Sequence, residues 1–337
     1  MEELKQTYLK KCSDLACKPI DYLASELDKV LQKGVVLEEL ALNGNQKQLF
    51  NARVQPMQVL AVCEALQTDV NVKSLDLANN FLNDLAAQAI ASLIKSDSGI
   101  QSINLAGNNI GPQGAAAICK ALSAPSCHLQ ALSLSSNPLE TPLPSGAGAD
   151  TVTLSLAHML ACNSSLTELG LSKHRMVDSQ LETLVSYGLL RNKSITSLDL
   201  RANRLSGFSG PQLERLLSEA PHVSSMNLAS NMLGDSGALA LARTMPYCSW
   251  LRMLDLRGNN ISEQGLVAVA EALSMSPHIQ VLLIWGNVFG PTSSRAFADA
   301  LAAIENSQDR AGQEKLVMDV RPYEVDGRAQ LAFVQVD

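Results

Sequence analysis

Histidine and cysteine are the side chains best suited to proton transfer, nucleophilic attack and metal binding, and this chain holds five and seven of them. His128, His222 and His278 each stand one place before the first apolar residue of a short apolar segment. Repetition of one structural unit explains that shared position better than a shared mechanism does. His174 occupies a position held elsewhere by asparagine, and His158 lies in a predicted helix. The cysteines (Cys12, Cys17, Cys63, Cys119, Cys127, Cys162, Cys248) are odd in number, scattered, and form no C-x-x-C pair. That spacing fits reduced thiols in an intracellular protein, not a disulfide framework or a zinc site. No H-E-x-x-H, G-x-S-x-G, phosphate-binding loop or glycine-rich dinucleotide signature occurs. The expectation is a non-enzymatic protein with no catalytic residue, no cofactor, no metal and no small-molecule substrate.

Charge points the same way. The 26 Lys and Arg against 33 Asp and Glu leave a formal charge of −7, with no basic tract. Nucleic-acid backbones and anionic membranes are therefore disfavoured as partners, although a local patch such as Arg201, Arg252 and Arg257 stays open. No apolar run approaches the roughly 18 residues of a membrane span. The charged opening Met1-Glu-Glu-Leu-Lys argues against a secretory signal, so the N-x-S/T sequons at Asn163, Asn192 and Asn260 carry little weight. These features predict a cytoplasmic location.

The elements that would position any site come from a repeat. The string Leu251-x-x-Leu254-x-Leu256-x-x-Asn259-x-Ile261 recurs, with its first apolar position at Leu37, Val72, Ile100, Leu129, Leu166, Ile195, Val223, Leu251 and Ile279. Most steps are 28 or 29 residues. Within each copy the apolar residues first alternate, as in a strand, and then switch to helical spacing, as at Ile261, Gly265, Val269 and Leu273. Each unit is thus a strand, a turn and a helix whose apolar face only its neighbours can cover. Gly114, Gly237 and Gly265 share a column near the helix start, where a side chain would obstruct close strand–helix approach. Asn45, Asn80, Asn108, Asn137, Asn203, Asn231, Asn259 and Asn287 share another just after each strand, suited to bonding backbone groups that turn while buried.

The predicted fold is an α/β leucine-rich-repeat solenoid, a horseshoe with a parallel β-sheet on the concave face and helices on the convex face. Nine strands would line an inner arc on the order of 40 Å long. Residues 1–34 read as a helical N-terminal cap, with helices over Glu2–Leu15 and Ile20–Gln32 and Gly34 ending the second. Residues 35–305 are the nine repeats. Residues 306–337 are a polar linker and a C-terminal β-hairpin turning at Asp326-Gly327, expected to cover the open sheet edge. The Pro/Gly-rich stretch Glu140–Asp150 reads as an exposed loop, either functional or a tolerated insertion.

The inner-surface columns of the strands carry the most functional information. Small residues fill the middle repeats, while charge and bulk gather in the C-terminal third, at Asp199, Arg201, Arg252, Met253, Asp255, Arg257, Leu283 and Trp285. Leu283 and Trp285 should point away from the repeat core as binding anchors. Packing of Trp285 under the hairpin is an equally open reading. For Arg201 and Arg257 the alternative to binding is an Asp–Arg lattice along the sheet.

The 28–29-residue period, the L-x-x-L-x-L-x-x-N-x-I/L core and the glycine column resemble the ribonuclease-inhibitor-like class of leucine-rich repeats over about residues 35–305. The resemblance implies a protein-interaction scaffold gripping a protein partner on the concave face. The chain departs from ribonuclease inhibitor itself in its few cysteines, and from the Ran GTPase-activating protein in having no acidic run after the repeats. The two-helix cap, the nine repeats and the tail Asp319–Gly327 are similar to one animal family within the class, which would imply a place in motile cilia or the nucleolus. Regulation of a small GTPase is the alternative function.

Overall fold

The computed structural model describes residues 2–96, 98–139, 151–306 and 316–336. Two helices come first, α1 (Glu2–Asp14) and α2 (Asp21–Lys33), and Gly34 ends α2 in the left-handed region at φ +64°. Buried Leu4, Tyr8 and Cys12 line one face of α1, and the Tyr8 hydroxyl accepts a bond from the Ile20 amide at 2.7 Å. Three-residue strands then alternate with helices: β1 (Glu39–Ala41), α3 (Pro56–Leu66), β2 (Ser74–Asp76), α4 (Asp84–Ile94), β3 (Ser102–Asn104), α5 (Pro112–Leu122), β4 (Ala131–Ser133), α6 (Thr151–Cys162) and β5 (Glu168–Gly170). The alternation continues with α7 (Asp178–Leu184), β6 (Ser197–Asp199), α8 (Gly210–Glu219), β7 (Ser225–Asn227), α9 (Gly234–Thr244), β8 (Met253–Asp255), α10 (Glu263–Ser274), β9 (Val281–Leu283) and α11 (Pro291–Asn306). It ends with β10 (Val317–Met318), β11 (Val320–Val325) and β12 (Arg328–Phe333).

Two compact units result, residues 1–174 and 175–337. In the first, β1 to β5 pair in chain order, all parallel, with Leu75, Ile103, Leu132 and Leu169 in register. In the second, β6 to β10 pair the same way, with Leu198, Met226, Leu254 and Leu282 in register. The centre of each strand is buried, and its outer residues are mostly half-exposed. That is the two-residue alternation of a sheet with one covered face. No helix among the described residues is long and apolar enough to cross a membrane.

The asparagine column is a ladder of backbone bonds. Asn108 Nδ2 donates to the carbonyls of Leu77 and Leu105 at 3.0 and 2.9 Å, while its Oδ1 accepts from the amides of Asn80 and Leu82 at 2.9 and 3.0 Å. Asn137, Asn231, Asn259 and Asn287 likewise bond their own and the preceding repeat. Asn45, in the first repeat, is exposed; it has no preceding repeat to bond. His174 replaces asparagine with an imidazole whose Nδ1 donates to the Asn137 carbonyl at 3.0 Å. Burial pushes His174 down to about 4, against bonds to the Asn137 and Leu134 carbonyls that favour its charged form.

Two further columns escape the repeat pattern. From the second repeat on, the residue before each ladder position has positive φ: Asn79, Gly107, Ser136, Lys173, Ala202, Ser230, Gly258 and Gly286. Carboxylates at helix starts also cap the next repeat's helix. Asp84 accepts from the Gly111 amide at 2.6 Å, Asp178 from the Ser206 amide and the Ser206 and Ser209 hydroxyls, Asp235 from the Ser262 and Gly265 amides, and Glu263 from the Thr292 and Ser293 amides. A negative group there also meets the positive end of the helix. This layout corrects the reading of the glycine column. A Cβ on Gly114 would meet Asp84 Oδ1 at 2.6 Å and Ala87 at 2.7 Å, and one on Gly265 would meet Asp235 Oδ1 at 2.5 Å. Glycine at 114 and 265 thus admits the capping carboxylate of the neighbouring helix as well as Ile110 and Ile261, whereas at Gly237 the crowding atom is Leu233 at 2.8 Å.

At the C-terminal end, β11 and β12 form an antiparallel hairpin, with Val325 opposite Arg328 across the two-residue turn Asp326-Gly327, both at positive φ. The sheet edge at β9 is taken by β10, a parallel strand outside the repeat pattern.

Candidate functional site

The strand ends of the second unit bring the candidate residues together. Asp or Asn closes most of the strands, and its side chain accepts the amide two residues on: Asp199 from Arg201 at 2.9 Å, Asn227 from Ala229 at 3.1 Å, and Asp255 from Arg257 at 3.0 Å. The same bond recurs at Asp76 and Asn104 in the first unit. This column therefore works first as a backbone cap.

Repeat nine has Leu283 where that acceptor belongs. The missing carboxylate is supplied by Asp319, just after β10, whose two oxygens accept the Ile284 and Trp285 amides at 2.9 and 3.1 Å. The first unit shows the same substitution on a smaller scale: Gly170 has no side chain, and the Ser135 hydroxyl oxygen takes the Ser172 amide at 3.1 Å. Asp319 is buried, and burial raises its carboxyl above the usual range; bonds from Ile284 and Trp285 and the charge of Arg257 act in the opposite sense. Arg257 Nε and Nη2 reach the Asp255 carboxylate at 3.0 and 2.6 Å, a bidentate pair that holds the guanidinium charged.

Two of the predicted contact residues are thereby corrected. Asp255 is 0% exposed and Leu283 is 6% exposed, so neither presents a surface to a partner. Asp255 is sealed by its clamp on Arg257, and Leu283 lies in the strand that β10 covers. Trp285 is partly packed and partly open. Its ring packs on Phe333 of the hairpin at 5.2 Å and on Phe289 at 6.0 Å, yet the residue stays 39% exposed. Met253 is half-buried, with its sulfur accepting the Ser225 hydroxyl at 3.5 Å. Arg252 is half-buried, and its Nη1 donates to the carbonyls of Ser249 and His278 at 2.7 and 3.4 Å.

What remains accessible lies two residues beyond the capping column: Arg201 after β6, Arg257 after β8 and Trp285 after β9, with the buried Ala229 after β7 leaving a gap in the row. Successive positions stand about 4.8 Å apart, the spacing of paired strands. Arg201 is exposed, and among the described residues its guanidinium has no ion-pair partner. The Arg257 side chain is 42% exposed. Among the described residues the Asp–Arg ion pair of the strand ends occurs in repeat eight alone and does not extend into a lattice. Among the described residues no three His, Cys, Asp or Glu are placed to hold a metal. The stretch Glu140–Asp150 lies outside the described residues. The sequons at Asn163 and Asn192 fall on buried side chains that accept the amides of Ser165 and Leu166, and of Ser194 and Ile195.

A leucine-rich-repeat family model matches residues 100–119, 219–242 and 247–270. No curated protein matches the sequence. Among solved structures, the chain is similar to the actin-binding site 2 of leiomodin-1, at 25% identity over 50% of this chain and 88% of that chain, with a TM-score of 0.38. It is similar to the tropomodulin C-terminal domain of Caenorhabditis elegans, at 16% identity over 44% and 80%, TM-score 0.34. It is also similar to the leucine-rich-repeat-containing protein LegL7 of Legionella pneumophila, at 20% identity over 80% and 72%, TM-score 0.43.

Proposed function

We propose that this chain, an α/β leucine-rich-repeat solenoid, is a non-enzymatic scaffold that holds a protein partner on the strand face of its C-terminal repeats. The observation that carries the reading is the row of accessible residues Arg201, Arg257 and Trp285 beyond the ends of β6, β8 and β9. It sets two arginines and a half-covered tryptophan along one line on a backbone already held by capped strand ends. Arginine and tryptophan are enriched among residues that dominate binding energies. A rigid surface also loses little conformational freedom on association. The matching partner presents carboxylates towards Arg201 and Arg257 and an apolar side chain towards Trp285. Asp199 and Met253 flank the row, and Asp255 and Asp319 act beneath it as supports.

Proximity labelling in the native cell, comparing wild type with Arg201→Glu/Trp285→Ala, tests this reading. Loss of a reproducible partner set by a variant that keeps wild-type thermal stability supports it. Retention of every partner overturns it. A finer likeness, to leucine-rich-repeat-containing protein 34 of animals, rests on the two N-terminal helices, the nine repeats and the tail Asp319–Gly327. It extends the proposal to an assembly of the cilium or the nucleolus, which the location of the labelled partners decides.

A further inference from the structure

α1 ends in a geometry that places two cysteines together. The Cys17 amide donates to the Cys12 carbonyl at 3.0 Å, a bond from the sixth residue back to the first, and Ala16 between them has φ +49°. These are the marks of a Schellman cap, in which the first and sixth residues bring their side chains into contact. Here both of those residues are cysteines, and Tyr8 lies one turn before Cys12 among the buried residues of α1. Cys12 is buried, whereas Cys17 is partly open to solvent, with its sulfur 3.8 Å from the Met57 carbonyl. The remaining cysteines differ: Cys63, Cys119, Cys127 and Cys248 are buried, and exposed Cys162 faces His158 at 3.9 Å.

We propose that Cys12 and Cys17 form a reversible disulfide that locks the end of α1 when the surroundings become oxidising. The oxidant is a low-molecular-weight disulfide such as oxidised glutathione. The accessible Cys17 thiolate attacks one of its sulfurs, forming a mixed disulfide and releasing one glutathione thiolate. Cys12 then loses its proton and attacks the Cys17 sulfur, closing the protein disulfide and expelling the second glutathione. Two protein thiols are oxidised and one glutathione disulfide is reduced to two thiols. The order follows from exposure: Cys17 is open to the oxidant, whereas Cys12 is buried, and the burial that pushes its thiol up to about 11 makes the closing attack the slower step. The bond would tie α1 to the segment leading to Ile20, whose amide Tyr8 already holds. In a reducing compartment the pair stays open, in keeping with the scattered cysteine pattern.

The full-length chain, incubated in buffers of rising oxidised-to-reduced glutathione ratio and then alkylated, tests the pairing. Trypsin leaves both residues on one peptide, 12–29, because Lys18 precedes proline. In wild type this peptide loses two hydrogens, escapes alkylation and is restored by reduced thiol. Cys12→Ser stops at a glutathione adduct on Cys17, and Cys17→Ser leaves residue 12 unmodified in the folded protein. A wild-type peptide alkylated at both sites while Cys162 is glutathionylated would overturn the proposal. So would accumulation of the Cys17 adduct with no closure. Both outcomes are read on wild type, so a variant that folds poorly does not blunt the test.

Discussion

Repeat three and repeat nine solve one problem in two ways. In repeat three, Asn104 closes the strand by accepting the Ala106 amide, and Asn108 bonds the turn to the repeat before it. All the acceptors come from the repeat pattern. In repeat nine, Leu283 gives the Trp285 amide no side-chain acceptor, the Ile284 amide has no next-repeat carbonyl such as Leu256 finds on Leu283, and Asp319, 34 residues beyond Trp285, accepts both. The array ends where its own chemistry stops being sufficient. A segment outside the pattern completes it and half-covers the tryptophan through Phe333.

Breaking the self-sufficient end should cost most. Asn108→Ala removes three donated and two accepted backbone bonds at a buried turn, and should destabilise by about 3 kcal/mol or more, read from urea unfolding. Asp319→Ala strips two amides of their acceptor and should cost about 2 kcal/mol. Its loss should concentrate at β9 and β10, where amide exchange accelerates while β2 to β4 keep their protection. Equal acceleration in β2 to β4 would dissolve the distinction between the two repeats.

A pH series sharpens the comparison at the one ladder position that carries a titrating group. His174 is held below its unfolded value of 6.5, at about 4, so its contribution is complete above pH 6.5 and is lost as pH falls towards 4. The loss is on the order of 2–3 kcal/mol. His174→Asn should flatten that part of the stability profile, and an unchanged slope would remove the residue from the account. Ala202→Gly is the mildest change. It relieves a non-glycine residue at φ +55° and should stabilise by up to about 1 kcal/mol in thermal melts.

The period, the strands and the ladder asparagines were legible because each is a pattern within one repeat: Leu75, Leu77 and Asn80 announce themselves by spacing alone. The capping carboxylates were not, because Asp84, Asp178, Asp235 and Glu263 bond a helix roughly one period away and look like ordinary exposed acids. The site was half legible. Spacing places Arg201, Arg257 and Trp285 in one row, but the same rule makes Asp255 and Leu283 look open. Their burial depends on Arg257 and on a tail strand with no period to announce it. The left-handed column was hidden for another reason. Only Gly107, Gly258 and Gly286 mark it by residue type, while Ser136, Lys173, Ala202 and Ser230 carry the same backbone angle without a glycine.

The two sets of bonds between neighbours point in opposite directions along the chain. Asp84, Asp178, Asp235 and Glu263 each serve the helix that follows, whereas Asn108, Asn231 and Asn259 each complete the turn that came before. During synthesis a newly made helix meets its anchor already waiting, but the turn behind it stays unfinished until one more unit has left the ribosome. A growing chain would thus always trail one open joint, and the last joint to close, at β9, is the one sealed by Asp319.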